Sequence, residues 1–247
     1  MPKLPRCPNG TVRSKKTGNC EKKTSPKSSS SPKGTRKNKK NSPPSIDEIL
    51  SKSDLKDENL SGKNLKGAKI SSKSLSGVNL SGANLSGAKI GSGQRITITN
   101  TNFTNANLTN VNFSHSEINH GDFTGAKMND ADLFDLRFKN STFKEAKFKK
   151  VKAENVDFWN SDLTEAVFTN ADLTSVSFYN SNLKGADLTR ADLTDANLSG
   201  ANLSGANLTG ANLTGANLKG TTLTGAKGKF KYDGRKITVD ELLSKSP

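Results

Sequence analysis

This chain of 247 residues has two cysteines, one tryptophan, two tyrosines and two histidines. Two thiols with no histidine nearby leave a zinc site short of its usual four ligands, so Cys7 and Cys20 read either as a disulfide or as a pair of free thiols. His115 and His120 are five residues apart. No apolar stretch follows the first methionine, so neither a secretory signal nor a membrane span is expected. The Lys and the strand-to-helix setting of a phosphate-binding loop are also missing. No cofactor, no metal and no catalytic residue is expected, and the chain does not read as an enzyme.

In place of these signals stands a period of five. An apolar residue recurs from Leu55 through Leu60, Leu65 and Ile70, and onward to Leu213, Leu218 and Leu223. A helix repeats every 3.6 residues and a strand every two, so a strict five requires a unit that turns a corner each time. The unit reads A-[DN]-L-[ST]-[GNDK], as in Ala196-Asn197-Leu198-Ser199-Gly200. The central residue and the small residue two before it are expected to point inward. Gly recurs at the last position, where the backbone bends and φ becomes positive. The step from Ile90 to Ile98 is three residues too long, which places a single insertion around Gly91 to Arg95. Two readings of it stay open, a tolerated surface loop or a loop that binds a partner.

Phe138-Lys139-Asn140-Ser141 returns as Phe158-Trp159-Asn160-Ser161 and as Phe178-Tyr179-Asn180-Ser181, each copy 20 residues after the last. Four units therefore make one coil, with residues 20 apart stacked over one another. About eight and a half coils at roughly 4.8 Å each give a rod about 40 Å long. Among the repeat centres only Ala153 is small, and it shares its coil with Phe143, Phe148 and Phe158, so it reads as compensation of core volume. Trp159 and Tyr179 follow their centres by one residue and face outward on adjacent coils, with Lys139 one coil further and Phe134 on a neighbouring column. These four make a candidate contact surface, or a cross-coil ladder that stabilises the sheet. The neighbouring lysines of residues 137 to 152 are expected to be spread around the coil.

The unit is similar to that of the pentapeptide-repeat family over roughly residues 53 to 228. The resemblance implies an all-β fold, a right-handed quadrilateral β-helix; the flanking sequence adds short terminal helices and a disordered basic N-terminal arm with too few apolar residues to fold alone. Some family members that confer quinolone resistance are acidic rods that imitate DNA and bind type II topoisomerases. Here residues 45 to 228 hold 20 bases and 19 acids, whereas residues 1 to 44 hold 13 bases and one acid. A near-neutral rod does not match that acidic pattern, and topoisomerase binding ranks low.

The segment Cys7-Pro8-Asn9-Gly10-Thr11-Val12-Arg13-Ser14-Lys15-Lys16-Thr17-Gly18-Asn19-Cys20 resembles the two-cysteine adaptor domain of large DNA viruses. That resemblance implies a viral protein with a docking module, located in the host cytoplasm or nucleus or in the virion. Residues 1 to 24 form the module, 25 to 44 a disordered basic linker, 45 to 53 a capping helix, 54 to 228 the β-helix and 229 to 247 a hairpin and helix. Lys15, Lys16, Arg36, Lys37, Lys39 and Lys40 are the candidate phosphate-binding arm. Ser45 with Glu48, and Thr238 with Glu241, read as capping boxes, and Asp233-Gly234 as a hairpin turn. The terminal helices either cover the end coils or, at the C-terminus, pair two subunits into a homodimer. The expected partner is a protein, with non-specific nucleic acid as the alternative.

Overall fold

The computed structural model describes residues 7, 11–13, 19–22, 48, 50, 51, 54–70, 74–91 and 95–243. The chain divides into two units, Met1–Pro43 and Pro44–Pro247. In the first, strands β1 (Thr11–Arg13) and β2 (Cys20–Lys22) pair antiparallel with Val12 opposite Glu21. A disulfide joins Cys7 to Cys20, whose Cα atoms are 5.6 Å apart.

In the second unit the repeats from Asn59 onward contribute short rungs, except the one centred on Leu75. The centre's N–H donates to the next coil, as Leu60 does to the Asn79 carbonyl at 2.8 Å, and Asn79 returns a bond to the Glu58 carbonyl at 3.0 Å. Rungs pair in parallel with those 20 residues away, for example Asn102 with Asp122 and Asn182 with Asn202. Only across the insertion does the step become 23, at Asn79 with Asn102, Asn84 with Asn107 and Lys89 with Asn112. The register therefore takes in three extra residues there and then resumes. Residues 92–94 of that loop lie outside the described residues.

The five positions divide the work as their chemistry dictates. Centre and small residue are buried, from Leu55 and Leu60 through Ala201 and Leu203. The Asn or Asp between them turns its carboxamide or carboxylate back to accept the N–H two residues on, as Asn197 Oδ1 does from Ser199 at 3.1 Å. Asn amides also bridge coils, as from Asn202 Nδ2 to Asn182 Oδ1 at 3.1 Å. The corner closes with a bond from Ala201 N–H to the Leu198 carbonyl at 3.0 Å. Its fifth residue is left-handed whether it is Gly200 at φ 68° or Asn180 at φ 53°, which explains the choice of Gly, Asn and Asp there.

The core is a column of stacked side chains. Phe103, Phe123 and Phe143 stack at 4.6 and 4.9 Å, and Phe138, Phe158 and Phe178 at 5.1 and 5.3 Å. Phe143, Phe148 and Phe158 meet one another in the coil whose fourth centre is the buried Ala153. One corner of the core is polar. Ser181 Oγ donates to the Phe158 carbonyl at 2.6 Å, Thr101 Oγ1 to the Leu75 carbonyl at 2.6 Å, and Thr221 Oγ1 to the Leu198 carbonyl at 2.9 Å. These hydroxyls cross-link coils from inside.

On one face the rungs lengthen into the parallel strands β3 (Thr97–Thr99), β4 (Glu117–Asn119) and β5 (Arg137–Lys139). At the C-terminal end β6 (Lys229–Tyr232) pairs with Asn212 of the coil below and antiparallel with β7 (Arg235–Thr238) beyond. Asp233 at φ 47° and Gly234 at φ 74° make the hairpin turn. Helix α1 (Val239–Leu243) begins with a reciprocal cap, in which Thr238 N–H donates to Glu241 Oε2 at 2.7 Å and Glu241 N–H to Thr238 Oγ1 at 3.2 Å. Of the N-terminal helix only Glu48 and Leu50 are described as helical, and Leu50 packs against the core.

Candidate interaction surface

Among the described residues no group of three His, Cys, Asp or Glu side chains is placed to hold a metal. None of their helices is long and apolar enough to cross a membrane. The two histidines point to different surroundings. His115 Nδ1 is 3.2 Å from Asp135 Oδ2, and its ring meets the edge of Phe134 at 5.4 Å. Arg95 reaches the same carboxylate at 3.3 Å from the end of the insertion. His120 lies on the next face, beside Asn119 and Lys139.

The outward aromatics lie where their positions in the unit put them. Trp159 is 40 % exposed, Tyr179 42 % and Phe134 38 %, the largest exposed rings among the described residues. Trp159 and Tyr179 occupy neighbouring coils, linked by the bond from Asn160 N–H to the Tyr179 carbonyl at 3.2 Å. The close ring pairs among the described residues are those of the core phenylalanines and of His115 with Phe134. No ring pair between Trp159 and Tyr179 is among them.

Lys139 sits one coil before Trp159 and pairs with Glu117 at 3.3 Å. The carboxyl of Glu117 is held below the usual carboxylate range, first by the Asn119 amide and then, against some burial, by Lys139 and Arg137. Glu117, Asn119 and Lys139, together with Thr99, Asn100, His120 and Asn140, line an open groove of about 520 Å³ on the β3–β5 face.

Grouping the surface residues by coil register reveals a charge pattern that the total conceals. The face centred on Leu133, Ala153, Leu173 and Leu193 carries Asp132, Asp135, Glu154, Asp172, Asp192 and Asp195 against Lys152. The face before it, centred on Met128, Phe148 and Leu188, carries Lys127, Lys147, Lys149, Lys150 and Arg190 against Asp130 and Asp187. The lysines of residues 137 to 152 do reach all four faces, but three of them gather with Lys127 on this one. On the β3–β5 face, Glu117 and Asp157 balance Arg137 and Lys139. The pattern lies wholly after the insertion, so counting in steps of 20 finds it in the sequence; across the insertion the acidic column continues into Lys89 and Lys69. Lys15, Lys16, Arg36, Lys37, Lys39 and Lys40 lie outside the described residues.

Parallel rungs at a 20-residue step, one core column and left-handed corners define a β-helical solenoid. A family model described as pentapeptide repeats, in eight copies, matches residues 59–90, 98–133, 122–160, 154–190 and 191–227, and the chain belongs to that family. The gap between the first two matches coincides with the insertion. No curated protein matches the sequence. Among solved structures the chain is similar to full-length QnrB1, a plasmid-mediated fluoroquinolone resistance protein, at 20 % identity and a TM-score of 0.56, over 69 % of this chain and 91 % of that one. It is also similar to HetL, a pentapeptide-repeat protein involved in heterocyst differentiation regulation in the cyanobacterium Nostoc sp. strain PCC 7120. There the identity is 26 % and the TM-score 0.31, over 73 % of this chain and 91 % of that one. The likeness to QnrB1 extends to the fold, a right-handed β-helix.

Proposed function

We propose that this chain is a non-enzymatic scaffold whose rigid β-helix presents a contact surface to a protein partner. The observation that carries the reading is the pair Trp159 and Tyr179, both exposed on adjacent coils. Large rings held on a rigid sheet lose little freedom on binding, and such anchors dominate protein interfaces. Four units per coil support a quadrilateral cross-section. The resemblance of residues 7 to 20 to a two-cysteine adaptor supports a viral origin, with the N-terminal module docking the rod in the host cytoplasm or nucleus or in the virion. The division of the chain at residues 24, 44, 53 and 228 belongs to the same proposal.

The test is affinity capture from host or infected cells with the full chain, with residues 45 to 247 and with a Trp159→Ala/Tyr179→Ala variant. Loss of one set of partners from the double variant and of another from the truncation supports the reading. Recovery of the same partners by all three refutes both docking assignments.

A second reading rests on the 13 bases and one acid of residues 1 to 44, which favour non-specific binding to nucleic-acid phosphates. Binding that falls steeply with salt and vanishes on removal of that arm identifies it. Topoisomerase inhibition is the weakest reading, and a supercoiling assay without effect at saturating protein removes it. A homodimer through residues 229 to 247 is tested by light scattering with and without them.

A further inference from the structure

The β3–β5 face differs from its neighbours in two ways that folding does not require. Its charges cancel locally, because Lys139 pairs with Glu117 and Arg137 stands in register between Glu117 and Asp157. It also joins a polar groove to an aromatic platform, since Trp159 occupies the rung after Lys139 and Tyr179 the one after that. From Thr99 to Tyr179 this surface spans five rungs, about 19 Å.

We propose that this face binds a neutral oligosaccharide, with the apolar faces of the sugar rings on Trp159 and Tyr179 and the hydroxyls in the groove. Sugar hydroxyls both donate and accept, and the groove offers both roles. Lys139 Nζ and Asn119 Nδ2 each give one hydrogen to Glu117 Oε1; the other two hydrogens of the ammonium and the second carboxylate oxygen of Glu117 serve the sugar hydroxyls.

Other ligand classes fit less well. A phosphate polymer needs net positive charge, and this face has none. An extended peptide gains most of its affinity by adding a strand to an open sheet edge. Here the centres of the rungs already bond to neighbouring coils, as Phe138 does to Asp157 and Phe158 to Ser177. A purely apolar ligand leaves the Glu117–Lys139 pair desolvated without compensation.

The inference goes beyond the protein-partner reading although it shares two residues with it. Sugar binding without protein capture, or the reverse, separates the two. Trp159 is the only tryptophan in the chain, so its emission reports on this face alone. The experiment titrates the full-length protein with neutral hexasaccharides of β-1,4-glucose, β-1,3-glucose, mannose and N-acetylglucosamine. Concentrations reach about 10 mM, above the millimolar range of an open surface site.

A saturable change with at least one of them is expected. It weakens about tenfold in Tyr179→Ala and in Glu117→Gln, and it persists in Lys147→Ala, which lies on a different face. Unaltered thermal melting of the three variants shows that each is folded. The proposal is overturned by no saturable change with any of the four sugars. It is also overturned by equal binding in Tyr179→Ala and Glu117→Gln, or by a response only to a sulfated hexasaccharide or single-stranded DNA.

Discussion

Replacing Gly121 with alanine tests how tightly the core column is packed. Gly121 holds the small position of its unit, and its φ is not in the left-handed region, so it is there for space. An added Cβ meets Phe123 Cε2 at 2.7 Å and Ile118 Cγ2 at 3.0 Å. Phe123 has no free direction in which to retreat. Its ring lies between Phe103 at 4.6 Å and Phe143 at 4.9 Å, and the edges of Phe113 and Phe138 close two further sides. Overpacking of a core this tight costs about 1–3 kcal/mol. The upper half of that range is expected, because one methyl displaces a stack of three rings.

The assay is urea unfolding of the wild type, Gly121→Ala, Phe123→Leu and the double variant. Coils contact only their neighbours, so the comparison uses midpoints under one protocol. If the clash with Phe123 is the cause, the two changes couple by about 1–2 kcal/mol, and leucine costs less in the alanine background than in the wild type. Gly62→Ala supplies the contrast. Nothing lies within 4 Å of its added Cβ, and only the left-handed φ of 64° opposes it, a cost of about 1–2 kcal/mol that no neighbouring mutation relieves. A Gly121→Ala midpoint equal to that of the wild type, or additive behaviour with Phe123→Leu, refutes the reasoning.

Three further outcomes follow from the same structure. Gly228→Ala places a Cβ 2.5 Å from the backbone nitrogen of Thr209, which cannot swing aside; hydrogen exchange should show faster exchange at Leu213 and Lys231, where β6 meets its coil. Burial pushes the Asp187 carboxyl up, but the Thr189 hydroxyl and N–H, the Thr169 hydroxyl and Lys227 outweigh it, and the same balance lowers Asp162 through Thr164 and Lys144. Both carboxylates therefore add stability above about pH 4, and it is lost as pH falls through their lowered folded values; acid titration of the unfolding midpoint should show this decline, reduced in Asp187→Asn. With Cys7 and Cys20 joined, thiol titration of the denatured, unreduced protein should find no free thiol.

Much of the rod is legible in the sequence because its rules are local. The five-residue unit, the left-handed fifth position, the Asp233-Gly234 turn and the Thr238–Glu241 cap each depend on residues within a few positions of one another. The 20-residue coil and the three-residue insertion follow from counting. What the sequence conceals is lateral. Glu117 and Lys139 are 22 residues apart, and Arg95 and Asp135 are 40 apart, so their pairing emerges only when coils are stacked. The groove beside Trp159 likewise has no signature in any single unit. Ser161 resembles Ser181 in sequence, yet only Ser181 finds a carbonyl while the Ser161 hydroxyl is buried without a partner. No repeat consensus encodes that difference.

The claim that the Trp159 and Tyr179 face is where this rod meets its protein partner is tested most directly by the emission of Trp159 in the free protein and in the complex recovered by affinity capture. A residue 40 % exposed when free should shift to shorter wavelength and resist aqueous quenchers once a partner covers it. An unchanged spectrum and unchanged quenching in a stable complex would show that the partner binds elsewhere and that this face is not the contact surface.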